Sequence, residues 1–281
     1  MPGWQPIHEN HAIDVMAALF TFAQPVPDLA LRRMLRAAED AAFAAGLRSR
    51  HSTQTMQFTV APQGISATGV AGGVQGLLFN ARFEDDGRPI PGRIAEQLQV
   101  DANSIVYRTW RYVSWSWQLE RMRSLMTPAL ALARDIAPVA TVRLEYLDRF
   151  WFDGAPHEAI TSELLREDCP QLAPHIFGRE DLWHVHTGAF LLADPLKRLQ
   201  QVLVDALNAP VGQATGPAKR WIHITTALED RFPTEILDDP RENADFPFGL
   251  FDAMHSDLKD LLGSIITSDL AARIYLTGQQ T

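Results

Sequence analysis

Apolar positions in the first half of the chain predict a strand, a helix, three more strands and a second helix. The segment from His11 to Phe22 is apolar and rich in strand formers. Three strand-like stretches follow later at 52–61, 75–84 and 94–110, separated by Gly-rich and Pro-Gly turns. The two helices are predicted from apolar stripes at helical spacing, which are Leu31, Met34, Leu35, Ala38 and Ala42, then Trp115, Leu119, Met122, Met126 and Leu130.

The same order of elements recurs in the second half. A strand is predicted from the alternating residues Val142, Leu144, Tyr146 and Phe150. Pro156 then opens a short predicted helix that contains Ile160, Leu164 and Leu165. Further strands are predicted at 182–193, 199–208 and 219–229. The last helix is predicted from the stripe Phe251, Met254, His255, Leu258, Leu261, Leu262 and Ile265.

This order predicts an α+β fold built from two internally duplicated β-α-β-β-β-α units. The first unit is assigned to residues 1–136 and the second to residues 137–281. The order and similar lengths of the elements carry this interpretation, because residue identity between the halves is slight. Pairing the strands gives a curved antiparallel sheet with helices packed on one face. The other face is left as a groove or a contact surface.

Composition and charge narrow the class of protein. The 281 residues are 46% hydrophobic and 21% charged, which is ordinary globular usage. A formal net charge of −9 argues against nucleic acid and against anionic membrane surfaces as partners. No stretch approaches the ~20 apolar residues of a membrane span, and the N-terminus lacks a signal-peptide pattern. Since the single cysteine, Cys169, excludes an intramolecular disulfide, we expect a cytoplasmic protein.

Three stretches carry a resemblance to a known family. They contain Tyr112 and Trp115 before a helix, Arg143 and Tyr146 on a strand, and His255 on a helix near the C-terminus. In these motifs the chain resembles a sporadically distributed bacterial family of about this length, to which no activity, cofactor or catalytic residue is assigned. The resemblance implies a shared fold. It also implies an accessory role, with a protein partner encoded nearby.

Two histidines one residue apart are the sharpest local feature. His184 and His186 share a face if they lie on a strand, so their imidazoles can ligate zinc or another transition metal. His223 on the last predicted strand is the candidate third ligand, with Asp205 or Asp181 as an oxygen donor. Structural histidines that only make hydrogen bonds are the alternative, because this spacing arises often by chance in strands.

Arginine and aromatic side chains supply the candidates for ligand binding. Some of them cluster before the second predicted helix, with the composition of protein recognition surfaces. The others are expected on the open face of the sheet, where charged residues also occur without any ligand. The full set is Arg82, Arg108, Trp110, Arg111, Arg143 and Glu145.

The sequence leaves three functions open. The first is a non-enzymatic binding or assembly module that recognises a protein or a small ligand, because a duplicated sheet and an aromatic-arginine cluster are present and no catalytic motif is. The second is a metal-dependent hydrolase that uses His184, His186 and His223. The third is a nucleic-acid-binding saddle, which the duplicated order of elements suggests and the acidic charge opposes. No cofactor is favoured apart from the transition metal of the second hypothesis.

Overall fold

The structure, a computed structural model, describes residues 2–53, 56–61, 64–69, 75–85, 88–193, 196–211, 216–233 and 246–276. They form an α+β protein with a large antiparallel sheet and few helices, which confirms the coarse fold class expected from the sequence. The strands are β1 (Trp4–Pro6), β2 (Ile13–Phe22), β3 (Ser49–Thr53), β4 (Met56–Ala61), β5 (Gly64–Gly69), β6 (Gly76–Asp85), β7 (Arg88–Asp101), β8 (Ser104–Thr109), β9 (Val139–Phe152), β10 (Trp183–Ala193), β11 (Leu196–Pro210) and β12 (Ala218–Arg231). The helices are α1 (Asp28–Ala44), α2 (Trp115–Ala133), α3 (Phe246–Ile265) and α4 (Ser268–Arg273).

The chain divides into two compact units, each drawn from more than one segment. Unit 1 comprises Met1–Ala17, Arg143–Arg231 and Gly249–Thr281, and unit 2 comprises Ala18–Val142 and Phe232–Phe248. In unit 1 the hydrogen-bonded strand order is β10-β11-β12-β9, with β1 paired to β9, and in unit 2 it is β8-β7-β6-β3. β4 and β5 pair separately. The predicted duplication, with halves 1–136 and 137–281, stays a prediction.

Unit 1 contains the meander of β10, β11 and β12. β10 pairs antiparallel with β11 in continuous register from Trp183 opposite Ala206 to Ala193 opposite Leu196. β11 pairs with β12 in the same way. The apolar stripe predicted for α3 is buried, at Phe251, Met254, Leu258, Leu261, Leu262 and Ile265. The alternation predicted for β9 is confirmed as well, because its inward positions are buried.

The helix predicted after Pro156 is wrong. The segment instead forms short 3-10 turns at Pro156–Glu158, Thr161–Glu163 and Pro174–Gly178. The backbone at the end of the predicted helix pairs with residues at and after the end of α3 instead, because the Arg166 N–H donates to the Ile265 carbonyl and the Leu164 carbonyl accepts from the Thr267 N–H, both at 2.9 Å. The apolar residues of the segment are still buried where they face inward, as Leu164 and Leu165 are.

Unit 2 contains α1 and α2 and the strands β6, β7 and β8. The five predicted apolar positions of α1 are all buried. Helix α2 begins at Ser114, whose hydroxyl accepts a hydrogen bond from the backbone N–H of Trp117. Its predicted stripe is buried except at Leu119, and the polar Gln118 is fully buried beside it. Both helices therefore form from the periodicity that predicted them.

The stretch 94–110 was expected to be one strand, but it is divided between β7 and β8. The two strands pair antiparallel around a turn that begins at Asp101. The Asp101 carboxylate accepts hydrogen bonds from the backbone N–H groups of Asn103 and Ser104, at 2.8 and 2.9 Å. Such an aspartate turn replaces strand pairing locally, and it reverses the chain where apolar content alone indicated a continuous strand.

No helix within the described ranges is both long and apolar enough to cross a membrane.

A carboxyl group lies in the core of unit 1. Asp148 is on β9, at an inward position between Tyr146 and Phe150, and it is 2% exposed. Its Oδ1 atom has no hydrogen-bond partner in the described part of the chain. Burial raises the pKa of Asp148 from its ordinary 3.8 to about 7. The folded protein therefore holds this carboxyl group largely uncharged up to neutral pH.

This burial makes the stability of the protein depend on pH. The folded state binds more protons than the unfolded state between pH 3.8 and about 7, so the free energy of unfolding falls as pH rises through that range. In urea denaturation, the wild type should lose about 3 kcal/mol more than Asp148→Asn between about pH 5 and about pH 8.

The comparison with Asp148→Asn isolates the effect of this carboxyl group. His223 and His255 have pKa values lowered to about 4, so they produce the opposite slope below pH 6.5. They are present in both proteins and cancel in the difference. Equal pH slopes for the two proteins would show that Asp148 is not held uncharged by burial.

Candidate functional site

The predicted metal ligands of unit 1 lie on three neighbouring strands. His184 and His186 are on β10, and His223 is on β12. Between them on β11, Asp205 is directly opposite both His184 and His223. Residues that are directly opposite on neighbouring strands point to the same face of the sheet. Strand pairing therefore brings the predicted histidines and one of the two predicted oxygen donors to one face.

The contacts among these side chains are hydrogen bonds and ring contacts. His186 Nε2 lies 3.2 Å from Asp205 Oδ1, and the rings of His184 and His186 are 5.2 Å apart. Burial, together with the positive charge of Arg149, lowers the pKa of His223 to about 4. His223 is therefore a neutral imidazole at neutral pH, which is the form that ligates metals. The nearby guanidinium of Arg149, however, opposes the approach of a cation.

The metal prediction stays a prediction. Within the described ranges, no group of three or more His, Cys, Asp or Glu side chains is arranged to hold a metal ion. His184, His186, Asp205 and His223 are the residues that would hold one if their side chains converged. In the observed arrangement, Asp205 binds His186 instead.

Two predicted ligand-binding residues of unit 1 bind each other. Arg143 Nη2 donates to Glu145 Oε2 at 2.7 Å, and both residues are on β9. Arg143 Nη1 donates to Gln201 Oε1 on β11 at 2.5 Å and lies 3.7 Å from Glu229 Oε2 on β12. The guanidinium of Arg143 is thus bound by neighbouring strands of its own unit. These contacts give Arg143 and Glu145 a structural role on the sheet face.

The same row of charges continues to the edge of unit 1. Arg231 Nε donates to Glu229 Oε1 at 2.7 Å, and the Arg231 guanidinium carbon lies 5.2 Å from the centre of the Phe190 ring. Phe190 is on β10, the strand at the end of the hydrogen-bonded order. A connected polar row therefore leads from β9 to an aromatic side chain on the outermost strand.

The C-terminal half of β10 is exposed to solvent. Gly188, Ala189, Phe190, Leu191 and Leu192 are all exposed, although successive residues point to opposite faces. The exposed fractions of Phe190, Leu191 and Leu192 are 61%, 41% and 104%. The N-terminal half differs, because Trp183 and Val185 are buried. The exposed half of this outermost strand was not predicted from the sequence.

The corresponding meander of unit 2 has a covered outer strand. There the order is β8-β7-β6, and β3 pairs antiparallel with β6 from Ser49 opposite Asn80 to Thr53 opposite Gly76. In unit 1 the order is β12-β11-β10, and no strand of the described part of the chain pairs with the free side of β10. The two meanders therefore differ in whether their outermost strand has a neighbour.

The remaining predicted ligand-binding residues lie in unit 2, and the structure does not gather them into a single site. Arg108 Nη1 donates to Gln97 Oε1 at 3.2 Å, whereas Arg111 Nη2 lies 3.6 Å from Glu96 Oε2. Trp110 is half-buried. Arg82 is exposed at a register shift between β6 and β7.

A buried polar network in unit 2 was missed by sequence reasoning. Glu96 on β7 is 1% exposed, and its carboxylate accepts hydrogen bonds from Arg121 Nε and Nη2 at 3.0 and 2.8 Å. The Tyr107 hydroxyl donates to Glu96 Oε1 at 2.8 Å, and burial together with this carboxylate raises the pKa of Tyr107. The sequence feature that could have predicted this network is the position of Glu96, which alternates in phase with the inward residues Leu98 and Val100.

A groove of about 600 Å³ lies between α1 and α2 in unit 2. Its walls are mainly alanine side chains and its polar groups come from Asp40, Arg121 and Ser124. Because Arg121 already forms a two-pronged ion pair with Glu96, its charge is compensated inside the protein. The groove is thus an open, largely apolar surface with one carboxylate beside it.

Two residues that carry the family resemblance meet in unit 1. The hydroxyl of Tyr146 on β9 and Nδ1 of His255 on α3 share a hydrogen bond of 2.9 Å. Burial, together with the positive charge of Lys259, lowers the pKa of His255 to about 4, so its imidazole is neutral. This contact links the strand to the helix, and it gives both residues a structural role.

Comparisons with known proteins do not identify the chain. No family model matches it, and no curated protein matches it. One solved structure, described as the crystal structure of the di-domain ARO/CYC StfQ from the steffimycin biosynthetic pathway, aligns with 88% of this chain and 95% of its own. The identity is 8% and the TM-score is 0.18. A likeness at this TM-score carries no argument about fold or function.

The Glu96 network generates a stability prediction. Glu96→Ala leaves the Arg121 guanidinium without its counter-ion and the Tyr107 hydroxyl with only the longer hydrogen bond to Gln118 Oε1 at 3.2 Å, so the free energy of unfolding should fall by about 3 kcal/mol. Urea denaturation measures this change. Glu120→Ala, at an exposed position next to Arg121, is the matched control and should change stability by less than about 0.5 kcal/mol. If the two variants lose the same stability, the network is not what holds β7 to α2.

Proposed function

We propose that this protein is a non-enzymatic binding or assembly module that recognises a protein partner by adding a strand to β10. The observation that supports this proposal is the free side of β10, which pairs with no strand of the described ranges. An edge strand presents unpaired backbone N–H and C=O groups, which an extended segment of another chain can bind.

The sequence of β10 lacks the devices that usually protect such an edge. Natural edge strands are kept from pairing by lysine, proline, bulges or short length. β10 has 11 residues, pairs with β11 without a register shift, and has no lysine or proline. By comparison β3, the outermost strand of unit 2, has five residues, and one of them is Arg50.

The exposed side chains add affinity and specificity to backbone pairing. In strand addition, pockets or apolar side chains on the two faces hold alternate residues of the bound strand. Phe190 and Leu192 point to one face of the sheet and Leu191 to the other, so apolar groups flank the free edge on both sides. Exposed apolar residues that are grouped in this way are typical of interaction sites.

The proposed duplication agrees with this assignment. We infer that β2-α1-β6-β7-β8-α2 and β9-β10-β11-β12-α3 are two copies of one unit, in which 3-10 turns replace the first helix of the second copy. In this alignment β10 corresponds to β6, which is paired with β3. The strand that fills this position in unit 1 would come from a partner.

Site-specific photocrosslinking tests this function. A photoreactive residue at position 192 should give a covalent adduct with a protein when the chain is expressed in its native host, because this side chain projects fully into solvent beside the free edge. The same residue at Leu29, which is 69% exposed on α1 in unit 2, is the matched control and should give no adduct. Equal labelling from both positions, or none from either, would contradict the proposal.

A metal-dependent hydrolase that uses His184, His186 and His223 is the competing proposal. The supporting observation is the register that puts Asp205 opposite both His184 and His223. This competing proposal predicts that untagged protein binds one equivalent of Zn²⁺, as measured by calorimetry and elemental analysis. His223→Ala should lose this binding, whereas His157→Ala should keep it. Absence of equimolar binding would exclude this alternative.

A further inference from the structure

The exposed residues of β10 also indicate which partner this strand binds. We infer that the partner strand is β10 of a second copy of this chain, paired antiparallel about a two-fold axis near Ala189. This inference rests on the proposed strand addition and names its partner. It makes the protein a homodimer whose interface uses the same surface twice.

Side-chain size along β10 fits pairing with itself. The exposed residues before the centre are small, with Thr187 and Gly188, whereas those after it are large, with Phe190, Leu191 and Leu192. An antiparallel two-fold pairing brings the large half of one strand against the small half of the other. In a parallel pairing the two large halves would crowd each other and the two small halves would leave a gap. The size pattern therefore selects the antiparallel arrangement.

The register about Ala189 gives favourable cross-strand neighbours. Phe190 lies opposite Gly188 of the second copy, Leu191 opposite Thr187 and Leu192 opposite His186. An aromatic side chain opposite a glycine covers the exposed backbone of the glycine and stabilises the pair. Each of these contacts occurs twice because of the two-fold axis.

The charge distribution along β10 permits a second copy at this strand. The chain carries a formal net charge of −9, so two copies repel each other over much of their surface. Residues 187–192 carry no charge, and pairing there brings no like charges directly together. These six exposed residues offer no charge with which a charged partner strand could form an ion pair.

The covered half of β10 limits how far the pairing extends. Thr187 is exposed but its Oγ1 donates to the backbone carbonyl of Gln171 at 3.4 Å, and Trp183 and Val185 before it are buried, so we expect no pairing from His186 towards Trp183. The exposed half is short, and the interface it forms is small. We therefore expect a dimer that dissociates measurably on dilution rather than an obligate one.

Charge variants at the centre of the strand test the inference. Ala189 is exposed, so Ala189→Glu and Ala189→Lys should fold, with unchanged circular dichroism and thermal unfolding. In sedimentation velocity over about a hundredfold range of concentration, the wild type should show a dimer that dissociates on dilution. Either variant alone should dimerise roughly tenfold more weakly or not at all, because two like charges meet at the axis.

An equimolar mixture of the two variants should recover the dimer, because Glu and Lys then face each other across the axis. Leu29→Glu and Leu29→Lys, at an exposed position on α1, are the matched controls and should dimerise like the wild type. Recovery by mixing is specific to self-pairing at this position, since the binding of a different protein would not depend on having both variants present.

The outcomes separate this inference from the function on which it rests. A monomeric wild type that still forms an adduct from position 192 with a different protein overturns the second-copy partner and leaves strand addition in place. A dimer that is unaffected by both Ala189 variants overturns pairing through β10. A monomer without any adduct overturns the inference and the proposed function together.

Discussion

Backbone hydrogen bonding between strands is the constraint on which the rest of this structure depends. Each strand must either pair on both sides or leave one row of N–H and C=O groups exposed at an edge. In unit 1, continuous antiparallel pairing puts Asp205 between His184 and His223 and leaves β10 outermost. The positions of the candidate ligands and the free edge are thus two results of the same pairing.

Strand pairing also decides which partners lie within reach of the charged side chains. A charge that leaves water needs a partner, and in both units the partners come from neighbouring elements. Arg143 is bound by Glu145 and Gln201, and Glu96 is bound by Arg121 and Tyr107. Arg143 and Glu145, which the sequence predicted to bind a ligand, therefore bind groups of the protein itself. At the exposed end of β10, Phe190 contacts the Arg231 guanidinium, whereas Leu191 and Leu192 stay exposed.

Local periodicity predicted most of the elements correctly. The stripes of α1 and α3 and the alternation of β9 are buried as expected, because a helix or strand with one apolar side must bury that side. The errors arose where hydrogen bonds outside the periodic pattern bind the backbone. Asp101 ends one strand by accepting hydrogen bonds from the turn that follows, and the backbone of Leu164 and Arg166 bonds to Thr267 and Ile265 instead of forming a helix.

The sequence by itself determined most of the helices and strands, which of their sides are apolar, and that the chain is acidic with one cysteine. Those properties depend on neighbouring residues in the chain. Only the tertiary structure decided that Arg143 binds Gln201, that Glu96 is buried beside Arg121, and that β10 rather than another strand of its meander is outermost. Strand order and ion pairing join residues that are far apart in the sequence, so a local pattern carries no record of them.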